Sequence, residues 1–182
     1  MPEGEEWATW PSSSPRHLGA RVATTVSGPE KAALVQSLGA ERVIDYRRED
    51  FGDVALEWTD GRGADLIMDT VGGETFCDSF AAARLYGRVV SLLSTSCSIA
   101  HINTARQRNL SIGYVQIAAP QYFGLHHERL AQTRILEQGA KLIEQGLLKV
   151  HVSLTLPLEK VAEAHRLIEA GHTTGKIVLR IV

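Results

Sequence analysis

The side chains with chemistry to offer gather behind a short β-branched run. ARVATTV, residues 20–26, is followed by Ser27, Gly28, Pro29, Glu30 and Lys31. Pro29 fits the first turn of a helix, so Lys31 can direct its ammonium back toward the strand end. Ser27 adds a hydroxyl donor, and Gly28 lets a backbone come close. Tyr46 closes the next strand-like run and can flank the same spot with a ring and a hydroxyl. No carboxylate stands at the first strand end. An Asp or Glu there would accept from a ribose 2′-hydroxyl and repel a phosphate; Ser, Lys and Tyr suit a phosphorylated ribose. The bland alternative is a solvated helix-start lysine beside a half-buried tyrosine, and these residues alone leave both open.

The elements that position them alternate. PEKAALVQSLGA reads as a helix, with Ala33, Leu34 and Leu38 at helical spacing, Glu30 near its positive end and Gly39 as its stop. ERVIDY, 41–46, is a strand, REDFGDVALEWTD a helix, and GRGA a turn. DLIMDTV, 65–71, is a strand, GGETFCDSFAAARL a helix with a glycine entrance, and GRVVSLLS, 87–94, a strand. The strands are near-continuous apolar runs, the mark of a parallel sheet covered on both faces. Right-handed crossovers then predict a doubly wound α/β sheet. Ligands bind such sheets beyond the C-terminal strand ends. The positions to watch are therefore Ser27–Lys31, Tyr46, Val71–Gly73 and Leu93–Ser96. STSCSIAHINTARQRN reads as a long loop or partial helix, and LSIGYVQIA as a strand. LHHERLAQTRILEQGAKLIEQGLL is an amphipathic helix with Leu130, Ile135, Leu136, Leu142 and Ile143 on its apolar side. HVSLTLPL, a helix over EKVAEAHRLIEAG, and the strand KIVLRIV end the chain.

At 44% hydrophobic and 22% charged, the 182 residues suit one ordinary globular domain or slightly more. A formal charge of −2 points to neither nucleic acid nor a membrane surface. No apolar run reaches the ~18 residues of a membrane span. MPEGEEWATWPSSSPRH, with Trp7 and Trp10, reads as a disordered tail without the pattern of a secretory leader. Cys77 and Cys97 are too few and too isolated for a disulfide framework, and a reducing cytoplasm is expected. They do not make a metal motif, and the adjacent His126 and His127 diverge, so no metal site is expected. His101, His151, His165 and His172 read as surface or satisfied core side chains, Cys77 as a core residue, and no Ser-His-Asp arrangement is visible. GHTTGKI, 171–177, is one residue short of a P-loop and leads into a strand.

Four stretches in order carry a resemblance: LGARVATTVSGPEKAALVQSLGAERVIDYRREDF, DLIMDTVGGETF, GRVVSLLS and VAEAHRLIEAGHTTGKIVL. From about Leu18 to Val182 the chain resembles the C-terminal half of medium-chain dehydrogenases/reductases, closest to the zinc-independent quinone oxidoreductases. The resemblance implies a Rossmann-like parallel sheet missing its first strand, with NADPH as the ligand. It implies that Ser27, Lys31 and Tyr46 surround the 2′-phosphate, and that Val71, Gly72, Leu93 and Ser94 run beside the dinucleotide. It implies hydride transfer from NADPH to a quinone or an α,β-unsaturated carbonyl, the nicotinamide supplying the chemistry. No side chain stands out as a catalytic acid or base. The division it implies is a tail over 1–17, a partial NADP-binding domain over 18–147 and, over 148–182, a segment that in relatives returns to the catalytic domain.

The chain departs from that pattern in several places. The family's catalytic domain, first Rossmann strand and glycine-rich turn have no counterpart in it, and there is no G-x-G-x-x-G. The strands ARVATTV and DLIMDTV must then pair directly, leave a gap or borrow a strand, which makes a homo-oligomer plausible. Relatives often carry an arginine where Gly171 stands. The competing expectation is a non-catalytic remnant that acts as a nucleotide-binding or subunit-interaction module.

Overall fold

The computed structural model describes residues 19–93, 95–171 and 173–181. In chain order the elements are β1 (Ala23–Val26), α1 (Pro29–Ser37), β2 (Arg42–Asp45), α2 (Phe51–Trp58) and β3 (Ala64–Asp69). Next come α3 (Gly73–Ala82), β4 (Ala83–Ser91), α4 (Ile99–Gln107), β5 (Ser111–Tyr114), α5 (Ala119–Tyr122) and α6 (His126–Glu144). The last are β6 (Val152–Pro157), a 3₁₀ turn (Leu158–Lys160), α7 (Val161–Glu169) and β7 (Lys176–Arg180). Every strand pair is parallel, and the class is the Rossmann-like α/β arrangement expected from the apolar strand runs. The described strands form three ladders, β1-β2, β3-β4-β5 and β6-β7. Among the described residues β1 and β3 belong to different ladders, so ARVATTV and DLIMDTV do not pair directly. The chain divides into two compact units, one of described residues up to Arg47 and from Leu136 onward, the other Arg48–Ile135.

In the first unit, β1 and β2 run in register from Ala23↔Arg42 to Val26↔Asp45. Helix α1 crosses between them and buries Val35 and Leu38, with Ala32 packed against the cluster of Val26, Val35 and Ala40. The expected Ala33 is exposed; the buried stripe lies one residue away because the crossover turns that side to the strands. The pair β6-β7, bridged by α7, buries Leu156 and Ala164.

In the second unit the core is Phe76, Cys77, Phe80, Ala83, Val89 and Ala105. Phe76 and Phe80 meet edge to face with centroids 5.1 Å apart. Strand β4 begins at Ala83 and ends at Ser91, shifted toward the N-terminus from the expected 87–94. Its pairing with β3 jumps from Ala64↔Ala83 to Leu66↔Arg88, across Tyr86 at φ 58°. Helix α4 lies where only a loop or partial helix was expected, and its cap explains it: the Ser98 side chain accepts from the His101 amide.

Helix α6 forms as expected, but its apolar side is not buried. Leu130, Ile135, Leu136 and Ile143 are exposed, and Gly139 is its buried position. No helix among the described residues is long and apolar enough to cross a membrane.

Candidate functional site

Two strand-end clusters carry the expected positions, one in each unit. In the first, the parallel register places Ser27 and Tyr46 at the same end of β1-β2, and the Tyr46 amide donates to the Val26 carbonyl at 3.2 Å. The Lys31 ammonium donates to the Ser27 hydroxyl at 3.3 Å, both half-buried. One helical turn therefore brings an ammonium and a hydroxyl within reach of a single oxyanion, and Tyr46, 37% exposed, follows the neighbouring strand at the same end. Gly28 caps α1 in extended backbone that any residue adopts, and a Cβ there would meet nothing within 4 Å. Neither backbone nor packing requires a glycine at that point.

In the second unit, Val71 and Leu93 are exposed strand-end side chains flanking buried Gly72. Ser94 lies outside the described residues. Gly72 sits at φ 74°, ψ −162°, a region essentially reserved for glycine, and a Cβ there would stand 3.1 Å from Leu93 Cβ. Gly72→Ala should lower stability by about 1.5 kcal/mol from backbone strain, read as a fall in the urea midpoint; an unchanged midpoint would show that this turn is not fixed.

Sequence reasoning passed over the group that fixes the second cluster. Asp69, at the end of β3, is 5% exposed. Its carboxylate accepts from the amides of Val71 (3.2 Å) and Gly72 (3.0 Å) and from the hydroxyl of Ser91, which is fully buried. The Ser91 hydroxyl in turn accepts from the Leu93 amide at 3.1 Å. One carboxylate thus sets the path of both loops. The available signal was an acid closing an otherwise apolar buried strand, a costly placement unless hydrogen-bonded. Thr95, within the watched Leu93–Ser96, ties the two loops: its hydroxyl accepts from the Gly73 amide at 3.0 Å.

Two expectations are corrected here. Cys77 and Cys97 form a disulfide, with their Cα atoms 5.6 Å apart. They are 20 residues apart in the chain, but α3 and the entrance to α4 are neighbours across β4, which the spacing did not reveal. Beside them, Ser98 Oγ lies 2.9 Å from His101 Nδ1, and His101 Nε2 lies 3.1 Å from Asp78 Oδ1. A serine, a histidine and an aspartate do line up, contrary to the sequence reading. Ser98 is engaged as the cap of α4, so the line acts as a brace between α3 and α4.

Both clusters sit at C-terminal strand ends. The profile of the zinc-binding dehydrogenase family matches residues 38–179. The chain belongs to that family. It is similar to a 2-haloacrylate reductase of a Burkholderia species, 32% identical over 168 residues, which cover 90% of this chain and 49% of that protein. A quinone oxidoreductase of Pseudomonas aeruginosa is 30% identical over 162 residues, 89% of this chain and 49% of that protein. The crystal structure of Escherichia coli quinone oxidoreductase complexed with NADPH superposes with a TM-score of 0.79 at 25% identity, over 98% of this chain and 58% of that one. The chain spans about half the length of the curated relatives it matches. The relatives named here are oxidoreductases. The family is named for zinc; among the described residues no three His, Cys, Asp or Glu side chains gather as a metal site.

Proposed function

We propose that this chain is the NADPH-binding part of an oxidoreductase that passes hydride to an electron-poor acceptor, a quinone or an α,β-unsaturated carbonyl. Bound NADPH would supply the hydride; the chain's residues bind and orient it. Ser27, Lys31 and Tyr46 hold the 2′-phosphate, and Val71, Gly72 and Leu93 lie along the dinucleotide. The observation that carries this is the 3.3 Å Lys31–Ser27 contact at the strand end shared with Tyr46, with open space at Gly28. The residues present fit the phosphoryl end of the cofactor. The glycine-rich turn that would hold its diphosphate has no counterpart in this sequence. Self-association belongs to the same reading, supported by the exposed Leu130, Ile135 and Leu136 on α6.

Titration with NADPH and with NADH, followed by tryptophan fluorescence, tests it. NADPH should bind at least about tenfold tighter, some 1.4 kcal/mol. Equal affinities would remove the phosphate site, and no binding of either at millimolar concentration would leave the non-catalytic module as the better reading. Gly28→Ala gives a second check. It should leave the urea midpoint within about 0.5 kcal/mol of the parent and weaken NADPH about threefold by filling the open space. Undiminished binding would place the nucleotide elsewhere.

A further inference from the structure

The disulfide joins two elements that meet at the second strand-end cluster. Cys77 lies on α3, whose first residues are Gly73 and Glu74, and Cys97 lies between Thr95 and the cap Ser98. Besides the disulfide, the side-chain ties seen across this junction are the Gly73 amide to Thr95 and the His101–Asp78 contact. Both are exposed, and ties of this kind hold weakly in water. The Asp69–Ser91 network fixes the neighbouring turns from inside and Ala105 of α4 shares the core of α3, while the covalent bond adds a tie on the Thr95 side of the junction that water does not weaken. The two sulfurs differ in access: Cys77 is 2% exposed, whereas Cys97 is half-buried. An incoming thiolate meets Cys97 first. Cys77, the leaving sulfur, has the Ser96 carbonyl 3.9 Å away to accept its S–H once reduced. Reduction thus leaves the buried thiol with an acceptor.

We propose that Cys77–Cys97 is a thiol–disulfide exchange site that controls the second strand-end cluster: oxidation pins Thr95 over Gly73, and reduction by a low-molecular-weight thiol such as glutathione releases it and weakens nucleotide binding. The first glutathione thiolate attacks Cys97 Sγ, breaking the S–S bond and expelling the Cys77 thiolate, which takes a proton from solvent. A second glutathione thiolate attacks the mixed disulfide and leaves as glutathione disulfide, freeing Cys97, which is protonated in turn. Two glutathiones are oxidised and one protein disulfide is reduced; the reverse exchange re-forms it. In a reducing compartment a disulfide is transient and suited to sensing.

The effect on nucleotide rests on the NADPH reading above, so the experiment reads the junction separately. The chain is equilibrated in glutathione buffers from fully reduced to fully oxidised. Thiols are counted by alkylation and mass, amide exchange is followed at Gly73 and residues 95–101, and NADPH is titrated into each state. Exchange at Gly73 should quicken about tenfold on reduction, NADPH should bind about threefold more weakly, and both changes should reverse with glutathione disulfide. Cys97→Ser should match the reduced parent and ignore the buffer. Thiols that stay free in excess glutathione disulfide, or Gly73 exchange equal in both states, would overturn the proposal. So would a changed exchange rate with the same measurable NADPH affinity in both states. If exchange responds while neither state binds NADPH, the exchange site stands, and control of nucleotide falls together with the NADPH reading.

Discussion

Asp69→Ala is expected to destabilise the chain by about 4 kcal/mol, the largest effect of any single substitution considered. Its carboxylate takes hydrogen bonds from Val71, Gly72 and Ser91, and both Gly72 and Ser91 are buried. Alanine would leave the Gly72 amide without its acceptor in a place that water does not reach, and would leave the Ser91 hydroxyl only the Leu93 carbonyl at 3.1 Å. Bonds to a charged acceptor contribute about 1.5–3 kcal/mol each, and an orphaned buried donor adds its desolvation cost. A graded series separates this from simple loss of volume. Asp69→Asn keeps one acceptor oxygen but turns an amide NH₂ toward donors, and should cost about 2 kcal/mol. Ser91→Ala removes one donor from the carboxylate and the acceptor of the Leu93 amide, which belongs to an exposed residue, and should cost about 1 kcal/mol. Urea unfolding followed by circular dichroism gives the order. If Asp69→Ala lost no more than Ser91→Ala, the carboxylate would not be what fixes the two loops.

The outline of the fold was legible because its strands are short apolar runs and two of its helices open at Pro29 and Gly72, where proline or glycine chemistry marks a start. The helix read from Arg48 instead starts at Phe51, because the Asp50 side chain accepts from the Asp53 amide at 2.9 Å, a local cap that the reading passed over. What else was not legible depends on residues distant in the chain. The start of β4 moved because Tyr86 takes a left-handed conformation and its amide donates to the Arg108 carbonyl at 2.8 Å, a partner 22 positions on. The Cys77–Cys97 bond and the Asp69–Ser91 bond have the same character, each joining neighbours made by the β3-β4 crossover. Ser27, Lys31 and Tyr46 could be grouped in advance because one turn of helix and one parallel register suffice to gather them. The apolar side of α6 was visible as a pattern, but periodicity does not say what covers it.

That local gathering sets the second large effect. Lys31→Ala should weaken NADPH binding about thirtyfold, some 2 kcal/mol, while leaving NADH unchanged. The ammonium already reaches the Ser27 hydroxyl at 3.3 Å, so it needs little reordering to meet a phosphate placed between them. A charge-assisted contact to a dianion loses about 1.5–3 kcal/mol when its cation goes. Ser27→Ala removes a neutral donor and should cost about 1 kcal/mol on the same ligand. Salt separates charge from shape, since half-exposed charges are screened over about 8 Å at physiological ionic strength. The parent's preference for NADPH over NADH should shrink as salt rises, and that of Lys31→Ala should be small and flat. Lys31→Arg should restore part of the preference, because it returns the charge with a different geometry. If Lys31→Ala lost affinity for both nucleotides equally, the lysine would be shaping α1 rather than reading the phosphate, and Ser27 and Tyr46 would lose their assignment with it.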